Sequence, residues 1–427
     1  MARKNKIYHS GLNNFFRNGK RILFSHGNRH LVYDTEGNHY NDFILGFGPV
    51  IIGHNNPQFQ EKFTPYLKNG IIMPGYSKWH SLYLERLLSD LREELTGLFF
   101  KTASEAVLGA IRLCSALTKK KGIIRCGYIG WHDIQIGDSI KWHEPLDSPL
   151  RKQIRYESDL KLGIRSFNKA EPIFNWIDFD LNNLEALLRK NGDMIGSMVI
   201  DIYQLFFTNE KIIKESIELC HKYEIMVIFD ETKTGGRVYK HGIGITEKYN
   251  MDLVIFGKSL ANGAPISLII GNENLLKYSE LTRITGTFSK EMLSIYCALA
   301  TLEFMEENSG IEKISSIGMK FEKIFNNSIN KLGLDSLIKL KPVFNGSMFD
   351  VSFAAQLLAE TDIRGALVNS LLEHNILILQ GHPSFFCYDH SLLDWSVLNL
   401  KIVESLEDWM KILNPFTGNQ MSVDMGK

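Results

Sequence analysis

The sequence predicts an α/β fold: a large domain on a mainly parallel sheet, followed by a smaller α+β domain. Short continuous apolar runs recur through the middle of the chain: "GLFF", "GIIRC", "SMVIDI", "MVIFDE", "LVIFGK" and "ISLIIG". Runs of that length without alternation are the pattern of strands buried on both faces, as in parallel sheets. Amphipathic segments such as "NEKIIKESIELCHKYE" lie between several of them, and strand–helix–strand alternation sets strands side by side in parallel. From Met292 the alternation stops. A long helical stretch, "MLSIYCALATLEFMEENSG", leads into a mixed segment that ends near Pro415.

The elements before the sheet have their own signals. The opening "MARKNKIYHSGLNNFF" is charged and lacks the apolar core of a secretory leader. "HLVYDTEGNHYNDF" alternates apolar and polar around Glu36-Gly37-Asn38, which predicts a hairpin. "GFGPVIIGHNNP", Gly46 to Pro57, reads as a tight loop beside something bulky. The expected division is an N-terminal segment, 1–60, packed with the small domain; a large domain, 61–305; a C-terminal α+β domain, 306–415; and a polar tail, 416–427.

Composition narrows the class. The chain of 427 residues is 44% hydrophobic and 22% charged, which fits a folded globular protein. Basic and acidic residues balance at 48 each, so no net field selects nucleic acid or an anionic membrane. No apolar stretch reaches bilayer length. Cys114, Cys126, Cys220, Cys297 and Cys387 are scattered, without a metal-site spacing or a disulfide framework. The expectation is a cytoplasmic protein without a metal.

Two of the apolar runs end in opposite charges. Asp230 closes "VIFD", and Lys258 follows "LVIFG". A lone charge at a strand end is ordinarily a salt bridge or a solvated loop residue. A carboxylate and an amine at the carboxyl ends of neighbouring strands, where α/β sheets bind ligands, can do more. An amine of lowered pKa forms a Schiff base, and a carboxylate holds a pyridinium nitrogen protonated. Together they suit pyridoxal phosphate (PLP).

That cofactor needs an anion site and an aromatic face. In "FFKTASEAVLGAIRL", Thr102 and Glu105 have capping-box spacing, which leaves the N–H groups near Ala103 and Ser104 and the Ser104 hydroxyl for a phosphate. In "CGYIGWHD", Tyr128 and Trp131 are candidate stacking rings, and His132 reads as a satisfied polar residue.

With these residues assembled, the chain resembles class III, fold-type I PLP-dependent aminotransferases, most of all the glutamate-1-semialdehyde aminomutase branch. The resemblance runs from Leu31 to Glu307, and more weakly to Leu413. It rests on six motifs in order: "YDTEGNHYNDFILGFGPVIIGHNNP", "FFKTASEAVLGAIRLCSALT", "GYIGWHD", "VIFDETKTGGRV", "DLVIFGKSLANGAPIS" and "TGTFSKEMLSIYCALATLE". It implies that Lys258 forms the internal Schiff base and shuttles the proton, that Asp230 binds the ring nitrogen, and that Tyr128 stacks on the ring. It also implies that Ala103 and Ser104 hold the phosphate, and that Gly286 and Thr287 reach the phosphate of a neighbouring subunit. The last role implies a homodimer with sites at the interface. The substrates implied are a small-molecule amino donor and an oxo acceptor.

Several positions depart from the family pattern. Ala103 stands for a glycine and Lys101 for an asparagine. "DIYQLFFTNE", Asp201 to Glu210, replaces a glycine-bearing loop. The N-terminal segment carries Ser10 and Asn13 without the arginine that binds the substrate carboxylate in the aminomutase branch. Arg125 stands where that branch has an acid, and Lys233 where the family has an uncharged residue. Glutamate 1-semialdehyde is therefore not the expected substrate. An amine or amino acid of a specialised pathway is, with Lys101, Arg125, Trp131 and Lys233 as candidate contacts. Intramolecular amino transfer, racemisation or decarboxylation would suit the same scaffold. So would a binding protein that has lost catalysis, although retention of both Asp230 and Lys258 argues against it.

A transaminase requires two substrates and an aminomutase one. Initial rates measured against both should give double-displacement kinetics, with no turnover when either substrate is omitted.

Overall fold

The computed structural model describes residues 15–417 except 18, 92, 137–139 and 152–171. Strands β1 (Phe24–Asn28), β2 (Leu31–Asp34) and β3 (His39–Asp42) form an antiparallel meander. The predicted hairpin is its second turn. Gly37 turns there with φ 89°, and Asp34 accepts the Glu36 and Asn38 backbone N–H groups at 2.9 and 2.8 Å. Helices α1 (Pro57–Phe63) and α2 (Lys78–Leu87) follow. The side chain of Asn56 caps α1, with proline at its first position.

The main sheet is assembled from β4 (Leu95–Phe100), helix α3 (Ala103–Thr118), β5 (Gly122–Cys126), β6 (Ile173–Asn175), helix α4 (Leu181–Asn191), β7 (Ile195–Asp201), helix α5 (Glu210–Lys222), β8 (Met226–Asp230), β9 (Leu253–Phe256) and β10 (Ser267–Asn272). Its order is β4-β10-β9-β8-β7-β5-β6. Strands β9, β8, β7, β5 and β6 pair in parallel. The run "ISLIIG" was expected among the parallel strands, but β10 is antiparallel to both neighbours. The reason is length: the connection 257–266 falls short of the dozen or so residues that a crossover needs.

Alternate residues of each strand face opposite sides of the sheet. Val199, Ile228, Ile255 and Ile269 pack under α3, against Ala106, Ala110 and Leu113. Ile200, Phe229, Phe256 and Leu268 face the other way, into the larger core. Each such side chain contributes roughly 1.5–3 kcal/mol on burial.

The chain continues through α6 (Leu293–Glu307), α7 (Gly310–Lys331), β11 (Ile338–Val343), β12 (Met348–Phe353), α8 (Thr361–Glu373), β13 (Ile376–Leu377), β14 (Ser384–Phe385) and α9 (Trp395–Thr417). A separate core joins Phe321, Phe349, Leu371 and Trp409 of this part to Phe43, Ile51 and Ile52 from the N-terminal part. Strand β13 extends the first meander, pairing in parallel with β3. α9 continues through Thr417, past the expected start of the tail; residues 418–427 lie outside the described residues.

Arg237 ties the parts together. Its buried guanidinium donates to Gly48 O and Phe386 O, both at 2.6 Å, and to Ser347 O at 3.4 Å. Burial lowers its pKa to about 10, so it stays charged at neutral pH. Gly48 is required beside it: its φ is 103°, and a Cβ would sit 2.8 Å from the Phe385 ring. Arg237→Met removes the guanidinium donor from Gly48 O and Phe386 O, while Ser347 O keeps Phe386 N. Urea unfolding should show a loss of about 2–4 kcal/mol.

Candidate active site

Strand register builds the site. Asp230 at the end of β8 pairs with Asp201 at the end of β7 and with Ile255 in β9. Lys258 lies two residues beyond β9. In β4, Phe100 is opposite Ser267, and in β9, Phe256 is opposite Leu268, so both strands end on the same edge of the sheet. Cys126 of β5 is level with Ile200 of β7. The loops that begin at Lys101, Gly127, Thr232 and Gly257 therefore emerge together. They surround a cavity of about 320 Å³ lined by Ala103, Ser104, Tyr128, Asp230, Lys233 and Lys258, among others.

Lys258 sits in the left-handed region, with φ 43°. That conformation costs a residue with a Cβ about 1–2 kcal/mol. Its neighbours hold it there: Ser259 Oγ donates to Gly235 O at 2.6 Å, and Asn262 bonds to both Ile52 N and Gly53 O. Burial first, and then the nearby Lys233 ammonium, lower the Lys258 pKa to about 7 against the pull of Asp201 and Asp230. An amine in that range is nucleophilic at neutral pH.

Burial raises the Asp230 pKa to about 6, and the Asp201 charge adds to the effect, while Lys233 and Thr232 oppose it. Thr232 donates twice to Asp230 Oδ1, from its N at 2.9 Å and its Oγ1 at 2.5 Å. Among the described residues, none donates a hydrogen bond to Oδ2. Asp201 is answered by Lys233, whose Nζ lies 2.5 Å from Asp201 Oδ2 in an ion pair that solvent barely reaches.

α3 begins as its sequence predicts. Thr102 Oγ1 accepts Glu105 N, and Glu105 Oε2 accepts Thr102 N at 2.9 Å. This leaves the Ala103 and Ser104 N–H groups without an intrahelical acceptor, at the positive end of a 16-residue helix. Gln135 braces this end by donating to Ser104 O at 2.9 Å, and its Oε1 accepts from His132 N. Gly127 lets the Tyr128 loop pass close to Asp201; its φ is 114°, and a Cβ there would sit 2.3 Å from Asp201 Cβ.

The other predicted residues are placed as follows. Lys101 borders the cavity, with its Nζ 2.6 Å from Glu291 Oε2. Arg125 is buried and donates to Asn175 Oδ1 and Gln135 O, both at 2.9 Å, away from the cavity lining. Trp131 is exposed and lies beside His132. Gly286 and Thr287 are exposed and line a separate surface cleft with Phe288 and Arg283. Ser10 and Asn13 lie outside the described residues.

Three site residues were not singled out from the sequence. Asp201 had a visible signal, a second acid closing an apolar run, "MVID". His143 and His382 had none. Their rings lie 4.5 Å apart, 53° from parallel, and they meet only in the fold.

The sheet, the left-handed lysine and the paired acid define a fold-type I PLP enzyme. The chain belongs to the class III aminotransferase family, whose pattern matches residues 16–386. Members of this family depend on PLP. Over 94% of its length the chain is 26% identical to 3-aminobutyryl-CoA aminotransferase of Cloacimonas acidaminovorans, covering 92% of that protein. It is 24% identical to glutamate-1-semialdehyde 2,1-aminomutase of Thermoplasma volcanium, over 90% of this chain and 93% of the other. Among solved structures, a transaminase with PLP bound superposes with a TM-score of 0.78 at 18% identity, over 93% of each chain; this likeness carries the fold.

The residues present fit that cofactor. Among the described residues the Ala103 and Ser104 N–H groups have no acceptor and suit its phosphate, Asp230 Oδ2 has no donor and suits a ring nitrogen, and the Lys258 amine is near neutrality. Lysine ordinarily titrates at 10.5, and folding lowers Lys258 to about 7. Between those values the unfolded chain holds more protons, so stability of the cofactor-free protein rises with pH through that window. Lys258→Met should remove that slope. Urea unfolding at pH 7 should find the variant more stable by up to about 4 kcal/mol, the difference shrinking towards pH 10.

Proposed function

We propose that the chain moves an amino group between a small-molecule amino donor and an oxo acceptor, with Lys258 attaching PLP and Asp230 facing its ring nitrogen. One observation carries this: the level ends of β7, β8 and β9 set an amine titrating near neutrality and a half-bonded carboxylate around the same cavity as the α3 N-terminus. PLP, when bound, supplies an aldehyde that exchanges amines and a ring that withdraws electrons from the amine-bearing carbon.

The residues supply the rest. Ala103 and Ser104 hold the phosphate dianion through their N–H groups. Tyr128 covers a ring face. A cation facing Asp230 restores its ionised form, and the ionised carboxylate keeps the ring nitrogen protonated. Lys233 neutralises Asp201, which would otherwise compete for that proton. Lys258 Nζ takes the proton from the amine-bearing carbon and returns it, a task suited to a pKa near 7.

Gly286 and Thr287 are assigned to the site of a second copy of the chain. They adjoin an exposed apolar patch of Ile71, Ile72, Met73, Tyr76 and Phe288. The strip is held by the Ile72–Glu291 bridge and by Met292 N donating to Ile71 O at 2.6 Å. Such a surface suits a permanent homodimer interface. The second core, built mostly from residues past 305 together with Phe43, Ile51 and Ile52, supports a C-terminal domain packed with the N-terminal segment. Five free, buried cysteines support a reducing, cytoplasmic setting. Among the described residues, no helix is long and apolar enough to cross a membrane.

Purified protein mixed with PLP should show the visible absorption of lysine-bound cofactor. An amino donor should bleach it, and an oxo acceptor should restore it. Lys258→Ala should abolish the absorption and slow turnover by at least about 10³-fold. Wild-type turnover in that variant would falsify the assignment.

A further inference from the structure

Asp230 ends β8, and the turn that follows it, 231–235, is pinned from several sides. Glu231 N donates to Ile255 O of β9 at 2.8 Å, and Glu231 O accepts Thr234 N at 3.1 Å and Gly235 N at 2.8 Å. The buried Glu231 carboxylate accepts Thr234 Oγ1 at 2.9 Å, Ile243 N at 2.7 Å and Gly244 N at 2.6 Å. A turn bonded at so many points fixes the backbone of Thr232, which lies within it.

Thr232 lines the same cavity as Asp230 and Lys258. Its methyl lies beside Gly257, where an added Cβ would sit 3.3 Å from it. Its hydroxyl turns to Asp230: Oγ1 and N both donate to Oδ1, at 2.5 and 2.9 Å. A carboxylate oxygen offers two lone pairs, so these donors fill Oδ1 and leave Oδ2 for a ligand. The last torsion of an aspartate is otherwise broad and roughly two-fold, and two donors on one oxygen select one setting of it. The hydroxyl also favours the ionised carboxylate. Around Asp230, Asp201 on β7 and the adjacent Glu231 favour its protonated form, and Lys233 and Lys258 its ionised form. The Tyr128 hydroxyl faces it as well, and burial holds that group above its ordinary range. Thr232 acts on Asp230 without adding a charge, and so leaves the Lys258 amine undisturbed.

We propose that the Thr232 hydroxyl is a positioning group for the cofactor's ring nitrogen: it locks the Asp230 carboxylate in one orientation and keeps it ionised, so that Oδ2 holds the pyridinium N–H. This rests on the role assigned to Asp230 above. The hydroxyl works through Asp230 alone, so its effect requires a nitrogen in the ring.

The test compares wild-type protein with Thr232→Val, which keeps the shape and the backbone donor but removes the hydroxyl, and with Thr232→Ser, which keeps the hydroxyl. Each is loaded with PLP or with its deaza analogue, in which a C–H replaces the ring nitrogen. In Thr232→Val the dissociation constant of PLP should rise by about tenfold, the loss of one hydrogen bond to a charged group. Nitrogen NMR of cofactor labelled at the ring should show the proton leaving about one pH unit lower than in wild type. The deaza analogue should bind wild type and Thr232→Val within about twofold of each other, which also shows that the variant is folded. Thr232→Ser should recover most of the PLP affinity. Equal weakening of both cofactors marks a merely structural residue and overturns the proposal. So does a Thr232→Val protein whose PLP affinity and ring titration are those of wild type, or a serine that restores neither. If wild-type protein shows no visible band of lysine-bound PLP, the reading of the site falls and this inference with it.

Discussion

The Lys233–Asp201 ion pair is the contact on which the site rests. Parallel register brings two carboxylates, Asp201 and Asp230, level on adjacent strands about 5 Å apart. Two bare negative charges at that spacing repel by about 3 kcal/mol at an effective dielectric of about 20. The fold answers one of them from within. Lys233, three residues beyond Asp230, reaches across to Asp201. The same ammonium acts on Lys258, lowering its hold on a proton. One buried cation therefore favours an ionised Asp230 and a neutral amine, the states that the proposed chemistry uses. A lone Lys233 would be a costly buried charge, and a lone Asp201 would raise Asp230 further.

Geometry does the remaining work without adding charge. Antiparallel β10 separates β4 from β9, so α3 starts at the sheet's edge and crosses the strands obliquely, bringing its N-terminus towards Lys258. The left-handed turn at Lys258 is stabilised by contacts to two other loops, through Ser259 and Asn262. On the far side of Lys258 a second, mostly apolar cavity opens, and burial keeps its imidazoles, His143 and His382, neutral. The site is thus polar towards α3 and apolar towards β13, with the lysine at the junction.

Much of this was legible in the sequence because it depends on local pattern. Continuous apolar runs marked the strands, and an acid and a lysine closing two of them marked the edge where the cavity opens. The capping box at Thr102 and Glu105 predicted where α3 begins. What was missed depends on partners far away in the chain. The direction of β10 follows from the length of its connection rather than from its composition. Lys233 and Arg125 read as cations available to a substrate, and only packing shows that Asp201, and Asn175 with the Gln135 carbonyl, already occupy them. His143 and His382 share no motif. Edge strand β6 is too short to stand out. The segment containing His382 has two uses that its composition does not separate, a cavity wall and domain packing. It serves both, with His382 on the cavity and Phe385 and Phe386 in the cores.

The pairing of β3 with β13 also has a consequence for biosynthesis. Asn41 and Asn375 touch across a separation of 334 residues. A ribosome adding about 5–20 residues per second needs roughly 20 to 70 s to cover that distance. Throughout it, the outer edge of β3 is an unpaired strand, and Phe43, Ile51 and Ile52 lack the C-terminal partners of their core. The nascent chain must carry an unpaired strand edge and an open apolar face until its last fifth emerges, so the segment from β3 to Ile52 is the part most exposed to wrong pairing during synthesis.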